Sequence, residues 1–238
     1  GARDFIPVFK EFGARNALYL GNLKLTVPPP VVDAEKLTAL RTMIGDRLCI
    51  GTFSTQPTDE AFFAENFRKL KKEFPGILGI IAPRHPTRGN EIKQELEAMG
   101  LKVAQRSADE PITPETDIYL ADTMREMALW WSLCPVGVIG GSFFPFGGQN
   151  PFECTHFGCI PVYGPHMFNF PELTKILEER NVAIPVASRE ELFSTLKRLL
   201  EDKANLHNRQ VDARMLAKEF ANSIAPIADY ITSHIMMH

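Results

Sequence analysis

With 238 residues, 45% of them hydrophobic and 23% charged, the chain can bury one sizeable core, or a core plus a small appendage. A formal net charge of -3 gives no basis for nucleic acid or an anionic membrane as the main partner. No run approaches the roughly 18 consecutive apolar residues of a membrane span, and the opening GARDFIPVFKEFG lacks a signal-peptide pattern, so a cytosolic protein is expected.

After a mixed opening segment, ALYLGNLKL (17–25) is predicted as a strand and its exit, followed by Pro28, Pro29 and Pro30, a stiff extended connector. A boundary is expected there: 1–30 as the tail of a preceding domain and its linker, 31–238 as one domain. Strand RLCIGTFST (47–55) leads into DEAFFAENFRKLKKEF, where Phe63, Phe67, Leu70 and Phe74 recur at helical spacing. The basic run Arg68, Lys69, Lys71 and Lys72 falls on that helix and is expected to be a solvated face. GILGIIAPRH (76–85) is predicted as a strand, and NEIKQELEAMG (90–100) as a helix closed by Gly100 at C′. Further strands are expected at KVAQRS, DIYLAD (117–122), VGVIGGS (136–142) and IPVYG (160–164), with helices at 124–132 and 152–158. Two helices should close the chain, near 188–202 and 205–235. The second would gather Val211, Met215, Phe220, Ile224, Ile227 and Ile231 on one side, with a kink at Pro226. Strands that are apolar throughout and alternate with helices define an α/β, Rossmann-like fold: a parallel sheet covered on both faces. The four cysteines form no CxxC pair and are expected to be buried, reduced thiols.

Ligands of open parallel sheets bind beyond the carboxyl ends of the strands. There the sequence places Ser54-Thr55, Pro83-Arg84-His85, Asp122-Thr123, Gly140-Gly141-Ser142 and Gly164-Pro165-His166, a set suited to an anionic, hydroxyl-rich ligand. In GGSFFPFGGQNPFE (140–153), Gly147 and Gly148 would let the backbone approach a ligand. Asn150 and Pro151 would open a helix whose N–H groups face a phosphate. Glu153 is either a capping-box partner of Asn150 or a carboxylate accepting ribose hydroxyls. Arg84 is either a bidentate grip on phosphate or a surface ion pair. His85 and His166 are either donors to a leaving group or structural. Asp122 is either the N-cap of helix 124–132 or a ligand contact. Trp130 and Trp131 are expected to pack. No Asp-x-Asp, GxGxxG, GxxxxGK[ST] or Gly-x-Ser-x-Gly element occurs, which argues against metal-bridged diphosphate, dinucleotide, P-loop and nucleophile-elbow chemistry.

GNLK (21–24), PRHP (83–86), DTM (122–124), the GGS and GGQNPFE pieces of 140–153, and GPHMFNF (164–170) occur in an order that resembles 3-deoxy-D-manno-octulosonic acid (Kdo) transferases, from about Gly21 onward. The resemblance implies a two-domain GT-B enzyme, this chain being its C-terminal, CMP-Kdo-binding half. It also implies a lipid A precursor as acceptor, no metal or other cofactor, and work at the cytoplasmic face of the inner membrane in lipopolysaccharide synthesis. By the resemblance, Ser54 and Thr55 line the donor pocket, Arg84 and His85 contact the CMP portion, and Met124 presents backbone near the cytosine. Gly141 and Ser142 border the nucleotide, Asn150 faces its phosphate and Glu153 holds the ribose. The general base belongs to the other half, so no catalytic residue is assigned here. The sequence departs from the family at Gln56-Pro57-Thr58, where a His follows Ser-Thr. It departs again at Arg125, where Gly precedes Glu126, and at Gln149, where His precedes Asn-Pro. Two alternatives stand beside this reading: a GT-B transferase using a UDP-sugar, and a degenerate, non-catalytic binding domain.

Overall fold

Seven segments rich in β-branched and aliphatic residues pair into one sheet. They are β1 (Cys49–Thr55), β2 (Leu78–Pro83), β3 (Val103–Gln105), β4 (Ile118–Leu120), β5 (Val136–Ile139), β6 (Ile160–Tyr163) and β7 (Ile184–Pro185). The computed structural model describes residues 5–15, 17–18, 28–221, 230 and 232–233. All six strand pairings are parallel and the order is β3-β4-β2-β1-β5-β6-β7. The central strands are sealed on both faces: Ile50, Leu78, Ile80, Ile81, Val136, Ile160 and Val162 are all essentially inaccessible. That explains why they read as continuous apolar runs.

Eight helices accompany the sheet among the described residues: α1 (Phe5–Glu11), α2 (Ala34–Ile44), α3 (Asp59–Glu73), α4 (Gly89–Ala98), α5 (Met127–Leu133), α6 (Pro171–Glu179), α7 (Leu192–Glu201) and α8 (Lys203–Ala221). One group packs α3 against α4 and α7. Another joins α2, α5, α8 and a 3-10 turn at Glu153–Phe157. Right-handed crossovers that leave β1 and β4 in opposite directions put these groups on opposite faces. Phe63, Phe67 and Leu70 form the buried stripe of α3, while Arg68, Lys69, Lys71 and Lys72 stand in solvent as expected. Gly100, at φ +82, follows the end of α4, and Leu101 N–H closes back on the Leu96 carbonyl, the predicted glycine stop. Trp130 and Trp131 are packing residues: Trp130 meets Tyr119 edge-on and Trp131 stacks on Phe157. All four cysteines are buried and free.

Several expectations need correction. The helix expected over 124–132 starts only at Met127, because Arg125 takes a left-handed conformation (φ +64). The helix expected over 152–158 is the 3-10 turn, entered through an Asn150 turn and ended by Gly158 at φ +73. In α8 the buried residues are Leu206, Ala213, Leu216 and Ala217, whereas Val211 and Met215 are exposed. Helices α2 and α6 and strand β7 were not anticipated. Of the expected strand at 17–25 only residues 17 and 18 are described, outside any strand; the rest of it with the GNLK piece, and Ile224, Pro226, Ile227 and Ile231, lie outside the described residues.

Candidate functional site

After β1 the chain crosses to β2 on one side, and after β5 it crosses to β6 on the other. The loops leaving β1 and β5 therefore diverge, and the crevice between them is the topological switch point of the sheet. Local backbone strain concentrates here. The β1–β2 register slips between Phe53 and Thr55, Ser54 adopts φ +55, and Thr58 reaches φ +81. A bulge of this kind redirects a strand end, and non-glycine residues held in the left-handed region cluster at functional sites.

Buried hydrogen bonds hold this strained turn. Thr55 Oγ1 donates to Glu60 Oε1 at 2.7 Å, and Arg88 Nη1 reaches the same oxygen at 2.9 Å. Glu60 is fully buried, and its Oε2 has no partner among the described residues. Asp59 Oδ2 accepts the Gln56 N–H at 2.8 Å and the Gly141 N–H at 2.6 Å. Burial pushes the Asp59 carboxyl up to about 6, with Glu60 adding to the rise; the two N–H groups and Arg88 oppose it.

The facing wall is the glycine loop after β5. Gly140 donates its N–H to the Phe53 carbonyl and accepts from the Gln149 N–H, while Gly141 accepts from the Gly148 N–H. Ser142 is fully buried: its hydroxyl donates to the Ile139 carbonyl at 2.6 Å and accepts the Gly164 N–H at 3.1 Å. Gly147 and Gly148 sit at φ +91 and +74, and a Cβ on them would strike Asn169 and Met167 respectively. These two glycines thus admit the GPHMFNF segment (164–170) rather than a ligand. Asn169 N–H bonds the Gly147 carbonyl and His166 N–H bonds the Ser142 carbonyl, fastening that segment to the loop.

The expected site residues divide accordingly. Thr55, Gly141 and Ser142 are buried with their polar groups committed inside the protein, so they build the crevice and do not reach into it. Arg84, His85, Met124 and Glu153 are exposed, and Ser54, Asn150 and His166 are half-buried. Asn150 Oδ1 accepts the Phe152 N–H and its Nδ2 donates to Glu153 Oε1 at 2.9 Å. The two side chains therefore pair directly, without the reciprocal backbone bonds of the expected capping box, and one Glu153 oxygen stays outside the pair. With Pro151 lacking an N–H and Phe152 already capped, the short turn offers a weaker phosphate cradle than a full helix N-terminus. The surrounding protein raises the Glu153 carboxyl, while Asn150 and the positive charge of Arg84 oppose the rise. The charge of Arg84 thus acts on Glu153 even though the two belong to different strand ends.

Asp122 is neither an N-cap nor a surface contact. Buried, it accepts the Ser107 N–H and hydroxyl and the Gln105 amide, bracing the exit of β3. Glu126, which precedes α5, makes no side-chain cap either; it binds Arg106 through two bonds, Lys36 at 2.7 Å and Thr123 at 2.6 Å. The Arg106 bond above all holds its carboxyl down at about 2. Sequence reasoning passed over Asp59, Glu60, Arg88 and Glu126; for the three acids the available signal was a carboxylate at a helix start beside a strand end, and Arg88 carried none. Among the described residues no helix is long and apolar enough to cross a membrane.

A parallel doubly wound sheet with its crevice at the switch point defines a Rossmann-like domain, and solved glycosyltransferase domains share this fold. A crystal structure of the C-terminal CMP-Kdo binding domain of WaaA from Acinetobacter baumannii superposes with a TM-score of 0.72 at 24% identity, covering 76% of this chain and 96% of that one. A glycosyltransferase from Rickettsia africae gives 0.58 at 14% identity, covering 90% of this chain and 55% of that one. In sequence the chain is a homologue of one part of the 3-deoxy-D-manno-octulosonic acid transferases. It is 32% identical to that of Rickettsia typhi over 192 residues, 81% of this chain and 41% of the relative. It is 35% identical to that of Bordetella pertussis over 170 residues, 69% of this chain and 39% of the relative. The chain thus spans about two fifths of the length of these curated relatives. No protein-family model matches it.

Proposed function

We propose that residues 31–238 are the donor-binding domain of a Kdo transferase, with residues 1–30 as the tail of the acceptor domain and its linker. The observation that carries this reading is the switch point of the sheet, with Arg84 after β2 and the bonded Asn150–Glu153 pair after β5, in a homologue of the Kdo transferases. The donor would be CMP-Kdo and the acceptor a lipid A precursor, transferred at the cytoplasmic face of the inner membrane.

The residues divide the work by chemistry. Arg84, whose planar guanidinium can offer two parallel donors, suits the phosphate of CMP. The uncommitted oxygen of Glu153 suits ribose hydroxyls, with Asn150 fixing the carboxylate. Ser54 and His85 supply polar contacts at neighbouring strand ends, and Met124, 70% exposed, would present its backbone near the cytosine. In inverting transfer the sugar develops oxocarbenium character as CMP departs, and the acceptor hydroxyl attacks from the opposite face. Stabilising the charge growing on the departing phosphate is this domain's share. The base that deprotonates the acceptor belongs to the other half, so this chain is expected to bind CMP without catalysing transfer.

Calorimetric titration of the chain with CMP and UMP checks the assignment. Weak, saturable binding of CMP with UMP weaker is the expected outcome. Preference for UMP would point to a UDP-sugar donor, and silence with both nucleotides would favour a non-catalytic domain.

A further inference from the structure

The strain at the end of β1 and the glycine loop after β5 are joined by a single carboxylate oxygen. Asp59 Oδ2 accepts two backbone N–H groups, Gln56 at 2.8 Å and Gly141 at 2.6 Å, and the Asp59 N–H returns to the Gln56 carbonyl at 3.0 Å. Ser54, Thr58 and Gly141, all at positive φ, lie within the two segments so joined. Residues in that region persist only where surrounding bonds over-determine them. Asp59 is almost wholly buried and its bond to the Gly141 N–H is sheltered from water, while the bond to Gln56 is part-buried.

We propose that Asp59 is the positioning residue of the crevice, its carboxylate tying the turn after β1 to the glycine loop after β5 and so fixing the opening that receives the donor's nucleotide. The inference rests on the proposed function for its ligand, but the tie itself is independent of any ligand. Asp59 acts through Gly141 and Gln56, not by touching the nucleotide. The charged groups facing it are Glu60 beside it and Arg88 from the turn after β2. Because its carboxyl titrates at about 6, the tie should weaken as pH falls through that range, when the anion that accepts both N–H groups becomes a neutral acid.

The test pairs amide hydrogen exchange with nucleotide titration on the wild-type chain, Asp59→Ala and Asp59→Asn, between pH 5 and 8. The phosphate of CMP gains a proton near the same pH, so the comparison runs between proteins at each pH. Exchange at Gly141 and Gln56 is expected to quicken at least about tenfold in Asp59→Ala, with far-UV circular dichroism unchanged and CMP binding weakened by about tenfold through lost preorganisation. Asp59→Asn, whose amide oxygen still accepts, should keep most of the affinity at pH 8 and lose the extra pH dependence of the wild type. Unchanged exchange at Gly141 in Asp59→Ala overturns the tie. Faster exchange with unaltered CMP affinity overturns its positioning role. A wild type that ignores CMP defeats the proposed function alone, and the exchange rates still decide the tie.

Discussion

Gly140→Ala is expected to destabilise the protein by about 3 kcal/mol or more, the range of severe overpacking. A Cβ at this position would lie 2.3 Å from the Ser54 carbonyl oxygen, 2.6 Å from its carbon and 2.8 Å from the Phe53 carbonyl oxygen. All three are backbone atoms, so no side chain can swing aside. The Gly140 N–H also bonds the Phe53 carbonyl, and its own carbonyl receives Gln149. Retreat of either segment therefore breaks the link between the β1 turn and the β5 loop. Gly76→Ala is the control: φ there is +84, but the added methyl meets nothing within 4 Å. Only the backbone cost of about 1 kcal/mol should appear at that site. Urea midpoints of the two variants measure the difference, and equal losses would show that the close approach at the crevice carries no special constraint.

Glu153→Gln is expected to weaken CMP binding by about 10- to 100-fold, the value of a hydrogen bond to a charged acceptor. Glutamine keeps the size of the side chain and an oxygen for the Asn150 amide, whose bond to Oε1 measures 2.9 Å. What is lost is the negative charge on the second oxygen, which the structure leaves outside the Asn150 pair. A cycle with 2′,3′-dideoxycytidine monophosphate isolates that interaction. The dideoxy nucleotide should bind the wild type about as weakly as CMP binds Glu153→Gln, and combining both changes should add little. If the two losses simply added, Glu153 would be a local brace of the turn and the ribose contact would fall elsewhere.

The path from sequence to site was clear where the physics is local. Continuous apolar runs marked the buried parallel strands, and Gly100 marked the end of α4 through its own backbone conformation. The Asn150–Glu153 pair was legible because both partners lie three residues apart. Signals for α2 and α6 were also local: Asp33 caps the Lys36 N–H, Pro171 opens α6, and Leu173 and Leu177 supply its buried face. They are short helices with two buried residues each, so the apolar periodicity is faint.

Contacts across the fold were not legible. Asp59 meets Gly141 across 82 residues, and nothing near either position announces the other. The same holds for Gly147 and Gly148, whose need for glycine comes from Asn169 and Met167 of a later segment. Asp122 looked like an N-cap because a helix pattern followed it. The left-handed Arg125 delays that helix to Met127, and the free carboxylate instead braces β3. Arg125 also stands where the resembling family carries glycine, which this backbone conformation accounts for.

The crevice between the β1 and β5 loops is expected to receive a cytidine nucleotide. Mapping amide shifts of the isotopically labelled chain during titration with CMP tests it most directly. Saturable shifts confined to Ser54–Gln56, Arg84 and His85, Gly140–Ser142 and Asn150–Glu153 are the expected result. Shifts gathered instead around the groove of about 510 Å³ beside Arg68, Lys69 and Lys72, with the crevice residues silent, would contradict it.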